Sequence, residues 1–337
     1  MRLLYSLFFI FIAVQAYAVP PIADYNQFKQ VVDEYIYNID ERFTITGAQG
    51  VDIFDFAEKY LKPNAKTVRS YSLEAATSNN ITTVNAELKY HDDFKVLSAL
   101  KKPRLKSKLN SKDMLVLNTA EKIIDKIIKK GMSDYEKVLA IHDYIVLSTR
   151  YDEYAAANMN KANPDVYTAY GSLVANKAVC EGFARAMSLL LNMINVETIV
   201  VSGTSERGPH AWNKVRIASD WYNVDATFDA PVPYKKGEIR YDYLNVRDSD
   251  LAAHSWDKTL YPAASATKYN YFVYNKLVVD NFEDFKRIIE SGLQKSGKAS
   301  VYVIGYSASK YPLNFIYGSF SYSAPKRQNG VFTIQKR

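Results

Sequence analysis

A single cysteine, Cys180, stands in a chain of 337 residues. One thiol cannot staple a chain to itself, so whatever this sequence folds into is held by a buried apolar core and not by disulfides. The composition allows such a core. Hydrophobic residues make up 48% of the chain and charged residues 23%, which excludes a collagen-like, low-complexity or wholly disordered polymer. Cys180 is then either a small buried hydrophobe or a thiol kept for chemistry, and composition leaves both open.

The chain opens Met1-Arg2, followed by an apolar run from Leu3 to Val14 and then Gln15-Ala16-Tyr17-Ala18. A positive start, a short apolar stretch and an Ala-x-Ala end predict a secretory signal peptide cut after Ala18; an uncleaved anchor is the competing reading. The run falls short of the roughly 20 residues needed to span a bilayer. The expectation is a secreted, periplasmic or cell-envelope protein with no stable membrane insertion after cleavage. The net charge of +7 favours anionic envelope polymers or membrane surfaces by long-range attraction. The cluster from Lys101 to Lys108 reads as a solvated linker, and without a nucleic-acid motif no nucleic-acid partner is expected. Four histidines, no His-Glu-x-x-His and no cysteine pair leave no zinc pattern, and no acidic loop suits calcium, so neither metal nor cofactor is expected.

Hydrophobic periodicity predicts helices over 24–38 and 52–61, a β-prone run at 43–46, and strands over 67–75 and 81–90. Tyr25 to Val32 lies over Phe282 to Ile289 in residue pattern, and β-prone runs follow each (300–305, 316–323 and 331–335 in the second case). This weak repeat is explained equally by common helix periodicity. The expected architecture is α+β: helices packed on an antiparallel sheet in a central core, flanked by two small α+β modules. The corresponding segments are 1–18 signal peptide, 19–105 N-terminal module, 106–275 core and 276–337 C-terminal module. In the core a helix over 111–130 is stopped by Gly131, and Ser133-Asp134-Tyr135-Glu136 is a capping-box pattern opening a second helix. His142 falls on that helix's apolar stripe, the place of a core histidine. A short helical stretch, 167–175, leads to the cysteine.

Cys180, Phe183, Ala184, Met187, Leu190, Leu191 and Ile194 recur at helical spacing, so Cys180 begins the buried face of a helix. Its place in the first turn, where backbone N–H groups lack partners and the helix dipole favours negative charge, suits a thiolate. A thiolate nucleophile needs a base, and the base an orienting group. Residues 208–215 and 221–228 read as a hairpin turning near Ala218 to Asp220. If the turn is Ala218-Ser219, Asp225 lies opposite Trp212 and diagonal to His210, at a Cα separation of about 7–8 Å that lets imidazole and carboxylate meet. A turn one residue later separates them. Taken without Cys180, His210 is an ordinary hairpin residue and Asp225 a strand-end acid.

Together, Ala178-Val179-Cys180-Glu181-Gly182-Phe183-Ala184, His210-Ala211-Trp212-Asn213 and Trp221 to Asp229 resemble the transglutaminase-like superfamily of papain-like cysteine enzymes, over about residues 133–232. Tyr151-Asp152 and Tyr241 to His254 resemble segments of bacterial exported members and extend a weaker match to about residue 280. Phe228 departs from the tryptophan found in many members. The resemblance implies Cys180 as nucleophile, His210 as general base and acid, and Asp225 as the group holding the imidazole tautomer. It further implies an oxyanion donor at the Cys180 backbone N–H, with Tyr151 or, second, Tyr170 supplying another. Trp212 is expected to wall the acyl site. A papain-type protease would carry its histidine about 130–150 residues after the cysteine, and that interval holds none.

The implied function is an exported thiol enzyme that cleaves or transfers an amide or peptide acyl group through a thioester. The substrate would be a peptide or protein, with cell-wall peptides one candidate and hydrolysis favoured over transfer. Two alternatives stand beside it: an inert envelope peptide-binding scaffold, and a transglutaminase cross-linking Gln to Lys.

Overall fold

The computed structural model describes residues 20–62, 67–235, 237–325 and 327–337. The signal peptide expected over residues 1–18 lies outside them, and among the described residues no helix is long and apolar enough to cross a membrane. The chain divides into two compact units, residues 1–91 and 92–337.

In the first unit, α1 (Tyr25–Tyr37), β1 (Arg42–Thr46), α2 (Ile53–Leu61), β2 (Val68–Ser78) and β3 (Ile81–Tyr90) follow in order, and the antiparallel strands lie as β1-β3-β2. Both helices start where a side chain satisfies free backbone N–H groups: Asp24 accepts from Gln27 N, and Asp52 from Phe54 N and Asp55 N. Phe28 and Val32 of α1 and Ile53, Ala57 and Leu61 of α2 are buried with Val84 and Leu88 of β3, the core of this module.

The second unit begins with α3 (Asp92–Lys101), α4 (Ser111–Ile127) and α5 (Asp134–Ser148). Residues 92–105, grouped with the first module in the sequence reading, form α3 and the start of a 3-10 turn, and Val96 of α3 joins the apolar cluster of α4 and α5. α4 ends three residues before the expected stop, with Ile128 already extended (ψ 130°) and Gly131 at φ +91°. The capping box that opens α5 is closed on both sides: Glu136 N donates to Ser133 Oγ at 3.3 Å and Ser133 N to Glu136 Oε2 at 2.7 Å. Two short parallel strands, β4 (Arg150–Tyr151) and β5 (Lys177–Ala178), bracket α6 (Glu153–Ala157) and α7 (Ala169–Leu173). α8 (Cys180–Met193) follows directly.

α8 is buried on all sides from Gly182 to Leu191. It packs between the other helices and an antiparallel sheet of β6 (Thr198–Ser205), β7 (Gly208–Ile217), β8 (Asp220–Val224), β9 (Leu244–Val246) and β10 (His254–Ser255), ordered β10-β6-β7-β8-β9, with the one-turn α9 (Ala226–Asp229) after β8. Burying Leu189, Leu190 and Leu191 contributes roughly 1.5–3 kcal/mol each. Gly182 is dictated by contact: a Cβ there would meet Val166 O at 2.5 Å and Ala178 Cβ at 2.7 Å.

Beyond α10 (Tyr271–Tyr274), β11 (Val278–Val279), α11 (Phe282–Ser296), β12 (Lys298–Val303), β13 (Phe320–Ser323) and β14 (Gly330–Lys336) build a four-stranded sheet ordered β11-β12-β14-β13. Phe285, Ile289 and Leu293 of α11 pack on Val301, Val303, Phe332 and Ile334. Its last three strands repeat the plan of the first module: a helix leads, and the third strand lies between the first two.

Candidate active site

Four elements converge on one point. Cys180 is the first residue of α8, partly exposed where Gly182 to Leu191 are buried, and Val179 before it offers no side-chain cap. The helix therefore points N–H groups without side-chain partners toward the thiol's end.

The hairpin brings the next two residues. β7 and β8 pair from Ile217 with Asp220 to Asn213 with Val224, so the turn is Ala218-Ser219, with Ala218 at φ +56°. Continuing that register by one residue sets Asp225 opposite Trp212 and diagonal to His210. The chain leaves the strand there: Asp225 becomes the cap of α9, and its Oδ1 accepts from Thr227 N at 3.1 Å and Phe228 N at 3.0 Å. With Oδ1 tied to the backbone, Oδ2 faces His210, whose Nε2 lies 2.6 Å away. Cys180 lies close enough to the imidazole to act on it as well, after Asp225. Since Nε2 serves Asp225, Nδ1 is the nitrogen left for the thiol.

Electrostatics follow from this arrangement. Burial pulls the His210 imidazole down, but the Asp225 charge and hydrogen bond, followed by Cys180, push it up to about 10. At Asp225 burial works upward and is overcome by His210, His254 and a backbone N–H, which hold the carboxyl down to about 2. The pair is thus an imidazolium and a carboxylate across the neutral range.

His254, on β10, was noted in the sequence only as the end of a family-like stretch. Its Nε2 lies 3.0 Å from the same Asp225 Oδ2. Periodicity carried no signal for this, because β10 is two residues long and reaches the site only by pairing with the distant β6. His210, Asp225 and His254 offer ligand atoms that all lie within 4.8 Å of one another, the spread of a metal cage. A tetrahedral ion with bonds of about 2.0–2.1 Å keeps its ligands roughly 3.3 Å apart. Contacts of 2.6 and 3.0 Å with both imidazoles on one oxygen are instead those of N–H donors on a shared acceptor.

The remaining sequence candidates are dispersed. Trp212, expected on the cleft wall, is only 1% exposed and lies behind the imidazole, nearly parallel to His210 at 6.0 Å. Strand alternation explains the correction: Trp212 and His210 share a face, and the indole N–H is spent on Asn223 Oδ1 at 3.1 Å. Asn223 in turn donates to Asp248, which also takes the buried Lys214 at 2.5 Å. Tyr151, on β4, is half-buried beside the site. Burial, the Cys180 thiol and the Asp225 carboxylate push its hydroxyl up to about 12 against Arg207. Tyr170 sits on α7, its backbone N–H on the Asp92 carboxylate at 2.7 Å and its ring under Lys112. Tyr167, which the sequence reading passed over, has a buried hydroxyl with no hydrogen-bond partner among the described residues; burial and then Cys180 raise it. His142 is fully buried, as its place on the apolar stripe of α5 predicts, and bonds Asp229 Oδ2 and Asp143 Oδ1 at 3.1 Å each.

Residues 121–226 match the transglutaminase-like superfamily. The transglutaminase-like segment runs from α4 through the start of α9, covering Cys180, His210 and Asp225 and ending short of His254. Among solved structures, one described as a TGase is 22% identical with a TM-score of 0.32, covering 58% of this chain and 57% of that one. A candidate cysteine protease from Cytophaga hutchinsonii is 15% identical, TM-score 0.29, over 68% of this chain and 76% of its own. A candidate protease from Parabacteroides distasonis is 11% identical, TM-score 0.24, over 88% and 66%. The chain thus spans little more than half of the first of these structures. No curated protein matches it.

Proposed function

We propose that the protein is an exported thiol enzyme that cleaves an amide or peptide bond through a thioester on Cys180. The observation that carries this reading is the 2.6 Å bond between His210 Nε2 and Asp225, which leaves Nδ1 for the thiol at the head of α8. The Cys180 sulfur attacks the carbonyl carbon, forming the C–S bond as the carbonyl electrons move onto oxygen. The Cys180 backbone N–H, with Tyr151 as the side-chain candidate, receives that oxyanion. The C–N bond then breaks while His210 Nδ1–H protonates the leaving amine. Water next attacks the thioester, giving its proton to Nδ1, and the C–S bond breaks to free the acid and the thiolate. Throughout, Asp225 holds the ring so that Nδ1 meets sulfur. General acid–base help of this kind is worth about 10²–10⁴-fold.

Cys180 is partly exposed, so water reaches the acyl group; this favours hydrolysis over transfer to an amine. The substrate class is a peptide or protein, with cell-wall peptides first to be tried. The test compares wild type with Cys180→Ala on envelope peptides by mass spectrometry, with and without a primary amine, alongside intact-mass labelling by iodoacetamide. A hydrolysed product that needs Cys180, and a single adduct that forms more slowly in His210→Ala, are expected. An amine-containing product would make it a transferase, and peptide binding without turnover in either protein an inert scaffold.

A further inference from the structure

The ring of His254 is enclosed by aromatic groups: Trp212 at 5.0 Å and Phe228 at 4.9 Å, with His210 at 5.3 Å and Tyr243 at 5.9 Å. Its Nδ1 is buried and has no hydrogen-bond partner among the described residues. A buried N–H without an acceptor is unfavourable, so the ring carries its proton on Nε2, and that proton points at Asp225 Oδ2. The backbone is shaped to allow it. β10 pairs with β6 through His254–Ser205 and Ser255–Thr204, and at the next residue of β6 a Cβ on Gly203 would lie 2.3 Å from Ser255 O and 3.0 Å from the Trp212 ring. Only glycine lets the strand that carries His254 come this close.

Asp225 therefore receives four N–H donors: two from the backbone on Oδ1, and two imidazoles on Oδ2. We infer that His254 is a positioning residue for the His210–Asp225 pair: it fixes the direction of the shared oxygen and draws off part of the charge that Asp225 would otherwise give to His210. This deepens the reading of Cys180 as nucleophile and rests on it. The groups bearing on the cluster from neighbouring elements are Cys180 of α8, Tyr151 of β4, Tyr243 before β9, Glu206 and Arg207 in the β6–β7 turn, and Asp229 and Asp242 near Tyr243. His254→Phe keeps an aromatic ring and removes the donor. Asp225, still tied to the backbone through Oδ1, then grips His210 alone.

Two measurements test this. The first is the pH profile of Cys180 alkylation by iodoacetamide, which the single thiol makes unambiguous. His254→Phe moves the alkaline inflection, where His210 loses its proton, upward by about one pH unit, and His254→Gln, which restores an N–H at the same reach, brings it back. Gly203→Ala, which displaces β10 without touching an imidazole, moves it in the same direction as His254→Phe. The second is the NMR resonance of the His210 Nε2–H proton in Cys180→Ala, which needs no reactivity. It moves further downfield when His254 is replaced by Phe. An unmoved inflection and resonance in His254→Phe, or a Gln variant displaced as far as Phe, overturns the role of His254. A wild-type inflection that persists in His210→Ala overturns the nucleophile reading instead, and the NMR arm then still decides on His254.

Discussion

α9 carries an Asp–His pair at each end, and the two behave in opposite ways. Asp225, its cap, bonds His210 beside the thiol; Asp229, its last residue, bonds His142 inside the core. Both carboxylates are buried. Asp225 collects two backbone N–H groups and two imidazoles, and is held down to about 2. Asp229 has one imidazole and the N–H of Tyr243, with the Asp242 charge nearby, and burial pushes it up to about 7. His142, drawn down by burial, is held up to about 9 by Asp143 and Asp229. The same two residue types make a fixed ion pair in one place and a titrating one in the other. The number of donors on the carboxylate makes the difference, since each offsets part of the desolvation cost.

Three experiments press on that contrast. The largest effect is on stability. His142→Ala strips Asp229 of its only imidazole and costs about 3 kcal/mol by denaturant unfolding, whereas His210→Ala leaves Asp225 three donors and costs about 1 kcal/mol. Equal losses would mean that donor number does not govern these pairs. The second effect is on reactivity: Asp225→Asn slows alkylation of Cys180 at neutral pH about a hundredfold, and Asp229→Asn changes it less than about threefold.

The third and smallest effect is the pH dependence of unfolding, whose slopes have opposite sign for the two carboxylates. His210 is raised from 6.5 to about 10, so its contribution is whole below pH 6.5 and is lost as pH rises through 10. Asp225 is lowered from 3.8 to about 2, so its contribution is whole above 3.8 and lost as pH falls through 2. Asp229 is raised from 3.8 to about 7; the folded state prefers it neutral, and stability declines as pH rises between those values. Equilibrium unfolding from pH 4 to 10 is expected to lose its lower slope in Asp229→Asn and to keep only a shallower upper slope in His210→Ala, where His142, raised from 6.5 to about 9, still contributes. Wild-type slopes retained in both variants would reject the assignment.

Much of this was legible along the chain. The capping box at Ser133, the stripe of α8 and the strands on either side of Ala218-Ser219 are local patterns of periodicity and turn chemistry, and the structure places them within a few residues of expectation. The diagonal of His210 and Asp225 was legible only once the turn was fixed, because a slip of one residue moves every side chain of a strand to its other face. Trp212 was misplaced because alternation tells which face a residue shares and not whether that face is open. The resemblance pointed to Tyr151, but no local pattern marks a hydroxyl near the thiol, and nothing separates Tyr167 from the other 26 of the 27 tyrosines.

What the sequence determined by itself is the local frame: a lone thiol at the start of an apolar helix, and a hairpin carrying a histidine and an aspartate at a spacing that one turn could join. What the tertiary structure alone decided is the company those groups keep. β10 crosses to β6 over Gly203 and lays a second imidazole on Asp225, and β4 lays Tyr151 beside Cys180. Charge states in a buried site follow from all donors within a few ångströms, and those come from segments tens of residues apart, so no local pattern encodes them.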